Sequence, residues 1–212
     1  MAKYFPILVN IKNKKCVIVG GGSVGERKIN TLLKYGAKIT LISPETTDKI
    51  KELINRGKIN YINREYKKGD LDGAFLVVAA TSSSKINRQI AKDAHYLVNI
   101  VEKGDFQQNM NNISCIVPAI YEKNHLTIAI STDFPALSKF LKDEIAQNYG
   151  KEFAKYLKYL KKIRREIKQK IADNKKRQKI FRKIASKKIV SILRQKCFEE
   201  AKREIEKIIN ET

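Results

Sequence analysis

The strongest constraint on this chain lies within ten residues. Cys16-Val17-Ile18-Val19 is a short apolar run that passes directly into Gly20-Gly21-Gly22-Ser23-Val24-Gly25. A short apolar run ending in a turn predicts a strand buried on both faces, as in a parallel sheet. Val24, Ile29, Leu32 and Leu33 then recur at helical spacing, and Gly36 supplies a C-terminal stop. The glycines fit G-x-G-x-x-G, a weak signal alone but a specific one between a buried strand and a helix. The spacing predicts the first β–α turn of a Rossmann-type sheet. Gly20 would allow the tight turn, Gly22 would let a pyrophosphate approach the backbone, and Gly25 would let helix and strand pack closely. The helix start at Ser23 and Val24 would offer free N–H groups and a partial positive charge to the phosphates.

The units that follow are of the same kind. Lys38 to Ile42, Ile59 to Ile62, Ala74 to Ala80 and Tyr96 to Val101 read as strands. Helical patterns separate them at Ile50, Leu53, Ile54 and at Ile86, Ile90, Ala91. Repeated β–α units predict an α/β fold with a parallel sheet covered by helices. The second strand ends in Ser43-Pro44-Glu45, where a ribose contact is expected, and positions 43–48 hold no Arg or Lys to clamp a 2′-phosphate. This favours NAD over NADP. Thr81, after the fourth strand, and Asn99, in the fifth, occupy positions where cofactor contacts are expected.

After Val101 the pattern changes. Residues 102–113 are polar and read as a long loop, a kind that usually carries function. Cys115 to Ile120 and Leu126 to Ser131 read as two further strands, and a helix begins near Pro135. Phe153, Tyr156, Leu157, Leu160, Ile163, Ile167 and Ile171 keep one apolar stripe. Asp173-Asn174 breaks or caps that helix, and further stripes follow from Ile180 and from Ile205. The expected organisation is a dinucleotide domain over 1–112, a dimerisation or substrate segment over 113–150 and a basic helical region over 151–212.

Composition narrows the partners. The net charge is +22, of which +14 falls in residues 151–212. Such a field favours anionic partners without choosing among them. No apolar run approaches the ~18–20 residues that cross a bilayer, and the N-terminus lacks a signal-peptide pattern. Three widely spaced cysteines indicate a reducing cytoplasm, with neither a disulfide framework nor a metal site.

Several segments, taken in order, resemble the precorrin-2 dehydrogenases, including the N-terminal part of siroheme synthases. They are Phe5 to Val9, Val17 to Gly22, Arg27-Lys28, Ser43-Pro44-Glu45, Asp70 to Thr81, Val98-Asn99, Val117-Pro118-Ala119 and Leu126 to Thr132. The resemblance implies NAD-dependent oxidation of precorrin-2 to sirohydrochlorin, with iron insertion in some members. It also implies a homodimer whose interface uses residues beyond about 113. A carboxylate-rich tetrapyrrole suits a basic protein.

Where the family carries Asn-Val-Val-Asp, with the Asp implicated as acid/base, this chain reads Asn99-Ile100-Val101-Glu102, with Asp105 three residues on. The following loop is longer than the family pattern, and Ser131-Thr132-Asp133-Phe134-Pro135 is a shortened version of a family stretch. The oxidation releases a hydride and a proton, so a carboxylate at a strand's end, Glu102 or Asp105, is the expected proton acceptor. His125 is expected to be a turn residue and His95 structural. Two other readings stay open: an NAD-sensing regulatory domain without catalysis, and a nucleic-acid binder using the basic helices. The latter is disfavoured because those helices lack interleaved aromatics and any docking module.

Overall fold

The computed structural model describes residues 4–95, 97–100, 113–132, 134–195 and 197–211. The chain groups into two compact units, residues 1–117 and 118–212.

The first unit is a six-stranded, all-parallel sheet. Its elements are β1 (Lys15–Gly21), α1 (Ser23–Lys34), β2 (Lys38–Thr46), α2 (Asp48–Asn55), β3 (Asn60–Ile62), β4 (Leu76–Ala79), α3 (Ser84–Asp93), β5 (Leu97–Ile100) and β6 (Ile113–Ser114). The strand order is β3-β2-β1-β4-β5-β6. Val17 lies beside Thr40 on one side and Val77 on the other, so β1 is central. Alternation along β1 divides the core. Cys16 and Ile18 face a layer with Ile29, Leu32 and Ile50 of α1 and α2, while Val17 and Val19 face one with Ile90 and Ala91 of α3. A strand covered on both faces has no polar side, hence the uninterrupted apolar run. From β1 the chain winds outward first through β2 and β3, then returns through β4 and β5. The order therefore reverses between β1 and β4, and their carboxyl ends open a crevice there.

Of the run expected as one strand over Cys115 to Ile120, only Ala119 and Ile120 lie in a strand. Ile113–Ser114 joins the parallel sheet beside Leu97 and Val98. Ala119–Lys123 (β7) instead pairs antiparallel with Leu126–Ile130 (β8). Pro118 lies between them, and its missing N–H cannot serve a ladder. Ala74 likewise stays outside β4, because its N–H closes a turn on the Leu71 carbonyl at 2.9 Å.

The second unit places the β7–β8 hairpin with five helices: α4 (Pro135–Asn148), α5 (Lys151–Lys170), α6 (Asn174–Ile184), α7 (Lys187–Arg194) and α8 (Phe198–Asn210). The expected stripes meet in one core of Phe153, Tyr156, Ile163, Ile167, Ile180, Ile184, Ile189, Leu193 and Ile205. Asp173 caps α6, accepting the N–H groups of Lys175 and Lys176 at 2.7 and 3.4 Å. Inside the core, the Tyr156 hydroxyl donates to the Ile184 carbonyl at 2.7 Å. Among the described residues, no helix is long and apolar enough to cross a membrane.

Candidate dinucleotide site

The glycine loop sits at the sheet's reversal point, and the space around each glycine gives it a separate task. Gly20 has φ +111°, and a Cβ there would stand 2.3 Å from the Ala80 carbonyl oxygen. Only glycine serves a left-handed residue pressed against the end of β4. A Cβ on Gly25 would lie 2.0 Å from the Gly20 oxygen, so this residue sets how closely α1 approaches β1. A Cβ on Gly22 would meet nothing within 4 Å. Gly22 thus leaves an open face at the start of α1, where the sequence reading expects the pyrophosphate.

Gly22 is also the N-cap of α1, and no side chain caps that helix. The first-turn amides from Ser23 onward therefore keep the donor capacity that side-chain caps usually absorb. The one acid of the first turn, Glu26, is engaged elsewhere. It accepts the Thr47 hydroxyl at 2.7 Å and pairs with Lys49 at 3.5 Å.

Ser43 has a different place from the expected ribose contact. It is buried, its hydroxyl accepts the Gly21 N–H at 3.0 Å, and its own proton goes to the Glu45 carbonyl at 2.7 Å. Ser43 therefore braces the glycine loop from within. Pro44 and Glu45 are the exposed residues of this strand end. They border a cleft of about 560 Å³ shared with Thr46, Tyr61 and Asn63. Lys51, also on this cleft, pairs with Asp48 at 2.9 Å.

Thr81 is half-buried and held on three sides. Its hydroxyl donates to Asn87 Oδ1 at 2.8 Å and accepts the Ser83 N–H at 3.2 Å, and Asn87 Nδ2 returns a bond to the Thr81 carbonyl at 3.1 Å. Asn87 is 2% exposed, so this lock on the β4–α3 loop is internal. Asn99, on β5, is also buried. Its Nδ2 donates to the Cys115 carbonyl at 2.8 Å, while Oδ1 has no hydrogen-bond partner among the described residues. A buried acceptor without a donor is costly and indicates a partner supplied from elsewhere. Glu102 and Asp105 lie outside the described residues.

Gly21 and Asn87 are the residues that sequence reasoning missed. Gly21 occupies a variable position of the motif, yet a Cβ there would stand 2.2 Å from the Glu45 carbonyl oxygen. Asn87 reads as an ordinary helical polar residue. Neither position carries a local signal, because each is defined by a partner on another element. Asp70 serves a turn. It accepts the Lys67 N–H at 2.8 Å and both arms of the Arg64 guanidinium at 2.7 Å, and these bonds hold its carboxyl below the usual range. Among the described residues, no three His, Cys, Asp or Glu side chains cluster as a metal ion would require.

An all-parallel sheet with a glycine loop at its reversal point, an uncapped helix start and one open glycine face defines a Rossmann-type dinucleotide-binding protein. Residues 7–119 match the family described as Putative NAD(P)-binding, which sets the cofactor as a nicotinamide dinucleotide. The precorrin-2 dehydrogenase of Bacillus subtilis is 34% identical over 148 residues, 69% of this chain and 86% of that protein. The siroheme synthase of Vesicomyosocius okutanii subsp. Calyptogena okutanii is 28% identical over 99% of this chain and 45% of its own length. The solved structure of SirC, a precorrin-2 dehydrogenase, superposes with a TM-score of 0.71 over 96% of this chain and all of that one, at 23% identity. The chain belongs to the precorrin-2 dehydrogenase family, which siroheme synthases share over part of their length. It spans less than half the length of the siroheme synthases it matches.

Proposed function

We propose that this chain oxidises precorrin-2 to sirohydrochlorin with NAD as the hydride acceptor. The observation that carries this reading is the open face at Gly22 before the uncapped start of α1, in a chain of this family. The first-turn amides from Ser23 hold the pyrophosphate, and Gly20 and Gly25 keep the loop close enough to the sheet for them to do so. Bound there, the nicotinamide supplies the hydride acceptor. The preference for NAD over NADP rests on β2's end. Glu45 is exposed there and would repel a 2′-phosphate, while Lys49 and Lys51 are paired with Glu26 and Asp48. Asn99 Oδ1 is the acceptor available to an N–H group of the bound molecules.

Glu102, two residues beyond the end of β5, takes the proton that leaves with the hydride, and Asp105 is the second carboxylate of that segment. The chain works as a homodimer. Phe134, Leu137 and Phe140 leave apolar surface exposed at the start of α4, a helix that buries only Ser138. Exposed apolar patches of this kind mark association surfaces. Three unpaired thiols support a reducing cytoplasm as the setting of the reaction.

The test is an anaerobic assay of precorrin-2 with NAD⁺ or NADP⁺, following sirohydrochlorin absorbance. The expected result is turnover with NAD⁺ at a kcat/KM at least about tenfold above that with NADP⁺, one ion-pair-sized difference in affinity. No turnover with either cofactor would overturn the enzymatic reading and favour a sensing domain.

A further inference from the structure

A second cavity lies wholly within the helical unit. It is a groove of about 620 Å³ between α5 and α6, reached by the turn of the β7–β8 hairpin. Its floor includes Leu157, Leu160 and Phe181, all only half-buried. Its rim carries Lys161, Arg164 and His125.

The sequence of α5 builds this arrangement. Leu157 precedes Lys161 by four residues, and Leu160 precedes Arg164 by four, so each apolar side chain shares a helix face with a cation. Phe153, Tyr156, Ile163 and Ile167 turn into the core, which leaves the Leu157–Leu160 flank open. Across the groove, the Arg164 guanidinium lies 5.9 Å from the centre of the Phe181 ring. Lys161 and Arg164 form no ion pair among the described residues. Their helix neighbours do, with Lys155 held by Glu152 at 3.0 Å and Lys162 by Glu166 at 3.8 Å.

We propose that this groove seats one edge of a polycarboxylate macrocycle, with pyrrole-ring carbons over Leu157, Leu160 and Phe181 and side-chain carboxylates on Lys161, Arg164 and His125. The chemistry selects this class. A floor of uncovered carbon needs an apolar ligand body. Two cations one turn apart on α5, with the His125 imidazole facing them from the hairpin turn, suit more than one anionic group on the edge of that body. Arginine is the side chain best shaped to take a carboxylate through two parallel N–H bonds. A single-carboxylate chain would use one cation and leave the other uncompensated. A nucleic-acid backbone would track the cations on the outer faces of the helices and leave the floor bare. The substrate class rests on the function proposed above, but the binding chemistry can be read separately from turnover.

The probe is uroporphyrin I, a planar octacarboxylate that undergoes no hydride transfer, titrated into the full chain by its Soret absorbance. The double reversal Lys161→Glu/Arg164→Glu should weaken binding by about tenfold or more, as removal of paired interface charges does. Leu160→Glu should also weaken it, and NAD affinity should stay the same in both. A control with the same charge change off the groove, Arg165→Glu/Lys168→Glu, should shift binding less than about twofold, the scale of exposed charges. Equal loss in the control would mean bulk charge and would overturn the site, as would wild-type binding in the groove variants. Displacement of uroporphyrin by hexadecanoate at lower concentration would overturn it in favour of a lipid-like chain. If precorrin-2 is not oxidised but the groove variants lose uroporphyrin, the enzymatic reading fails alone. If precorrin-2 is oxidised with unchanged KM and uroporphyrin binding is also unchanged in the groove variants, the groove fails alone.

Discussion

The Ser43 hydroxyl ties the end of β2 to the glycine loop, accepting the Gly21 N–H at 3.0 Å while donating to the Glu45 carbonyl at 2.7 Å. Ser43→Ala should leave both backbone groups short of a partner in a buried setting, at a cost of about 1–2 kcal/mol. The loop it releases is the one proposed to carry the pyrophosphate. Urea unfolding should therefore show a lower midpoint and calorimetry a weaker NAD affinity. A lower midpoint with unchanged affinity would separate the brace from the binding site.

The two ends of the glycine motif should respond differently to a side chain. Gly22→Asp places its Cβ in open space, so melting should stay close to wild type. Its carboxylate would occupy the phosphate position and repel like charge, and NAD binding should be lost. Gly25→Ala drives a Cβ to 2.0 Å from a backbone oxygen. It should destabilise the fold by about 1–3 kcal/mol, the range of overpacked cores. A folded Gly22→Asp protein with wild-type NAD affinity would remove the cofactor from this loop.

The proposed proton acceptor is tested by two isosteric changes. Glu102→Gln should lower kcat for precorrin-2 oxidation by about 10²-fold or more with little change in NAD affinity. Asp105→Asn should have a much smaller effect. Reversal of the two outcomes would make Asp105 the working base. Full activity in both variants would send the proton to water or another group.

Burial pushes the Cys16 thiol from its ordinary value of 9.0 up to about 11. Below pH 9 the thiol is protonated in both folded and unfolded chains, and its contribution to stability is complete. As pH rises from there toward 11, the unfolded chain loses the proton first and stability falls, by ~2 kcal/mol for this one group. The loss of urea midpoint between pH 8 and pH 10.5 should thus be smaller in Cys16→Ala than in wild type. Parallel pH profiles for the two proteins would contradict the assignment.

The dimer should be sensitive to its proposed apolar patch. Phe140 is 64% exposed on α4. Phe140→Asp costs the isolated chain little, because no core packing is lost there, but it buries a charge in an association surface. Light scattering should report a dimer for wild type and a monomer for the variant at micromolar concentration. A monomeric wild type would sink the proposal.

Much of the first unit was legible in the sequence because its signals are local. Cys16 to Val19 can be uniformly apolar only if both faces of the strand are covered. Gly20, Gly22 and Gly25 are spaced by the geometry of one strand, one turn and the first turn of one helix. The α5 stripe and the Asp173 cap follow from helical spacing in the same way. The late start of β7, after Pro118, was less legible, because Cys115 to Val117 have the same apolar character as Ala119 and Ile120 yet lie outside both strands.

The tertiary structure decided what depends on a partner distant in sequence. Ser43 looked like a ribose ligand from its place at a strand end. Its hydroxyl is directed inward because Gly21, 22 residues earlier, presents an N–H there. Thr81 looked like a cofactor contact from its place after a strand, and Asn87, from the helix that follows the loop, bonds its hydroxyl and carbonyl. Leu157, Leu160 and Phe181 read as core positions, yet they floor a groove because neighbouring helices do not fill that flank. Periodicity in a chain records which side of an element is apolar. It does not record which element comes to cover that side, how completely, or which polar group on it meets a given hydroxyl.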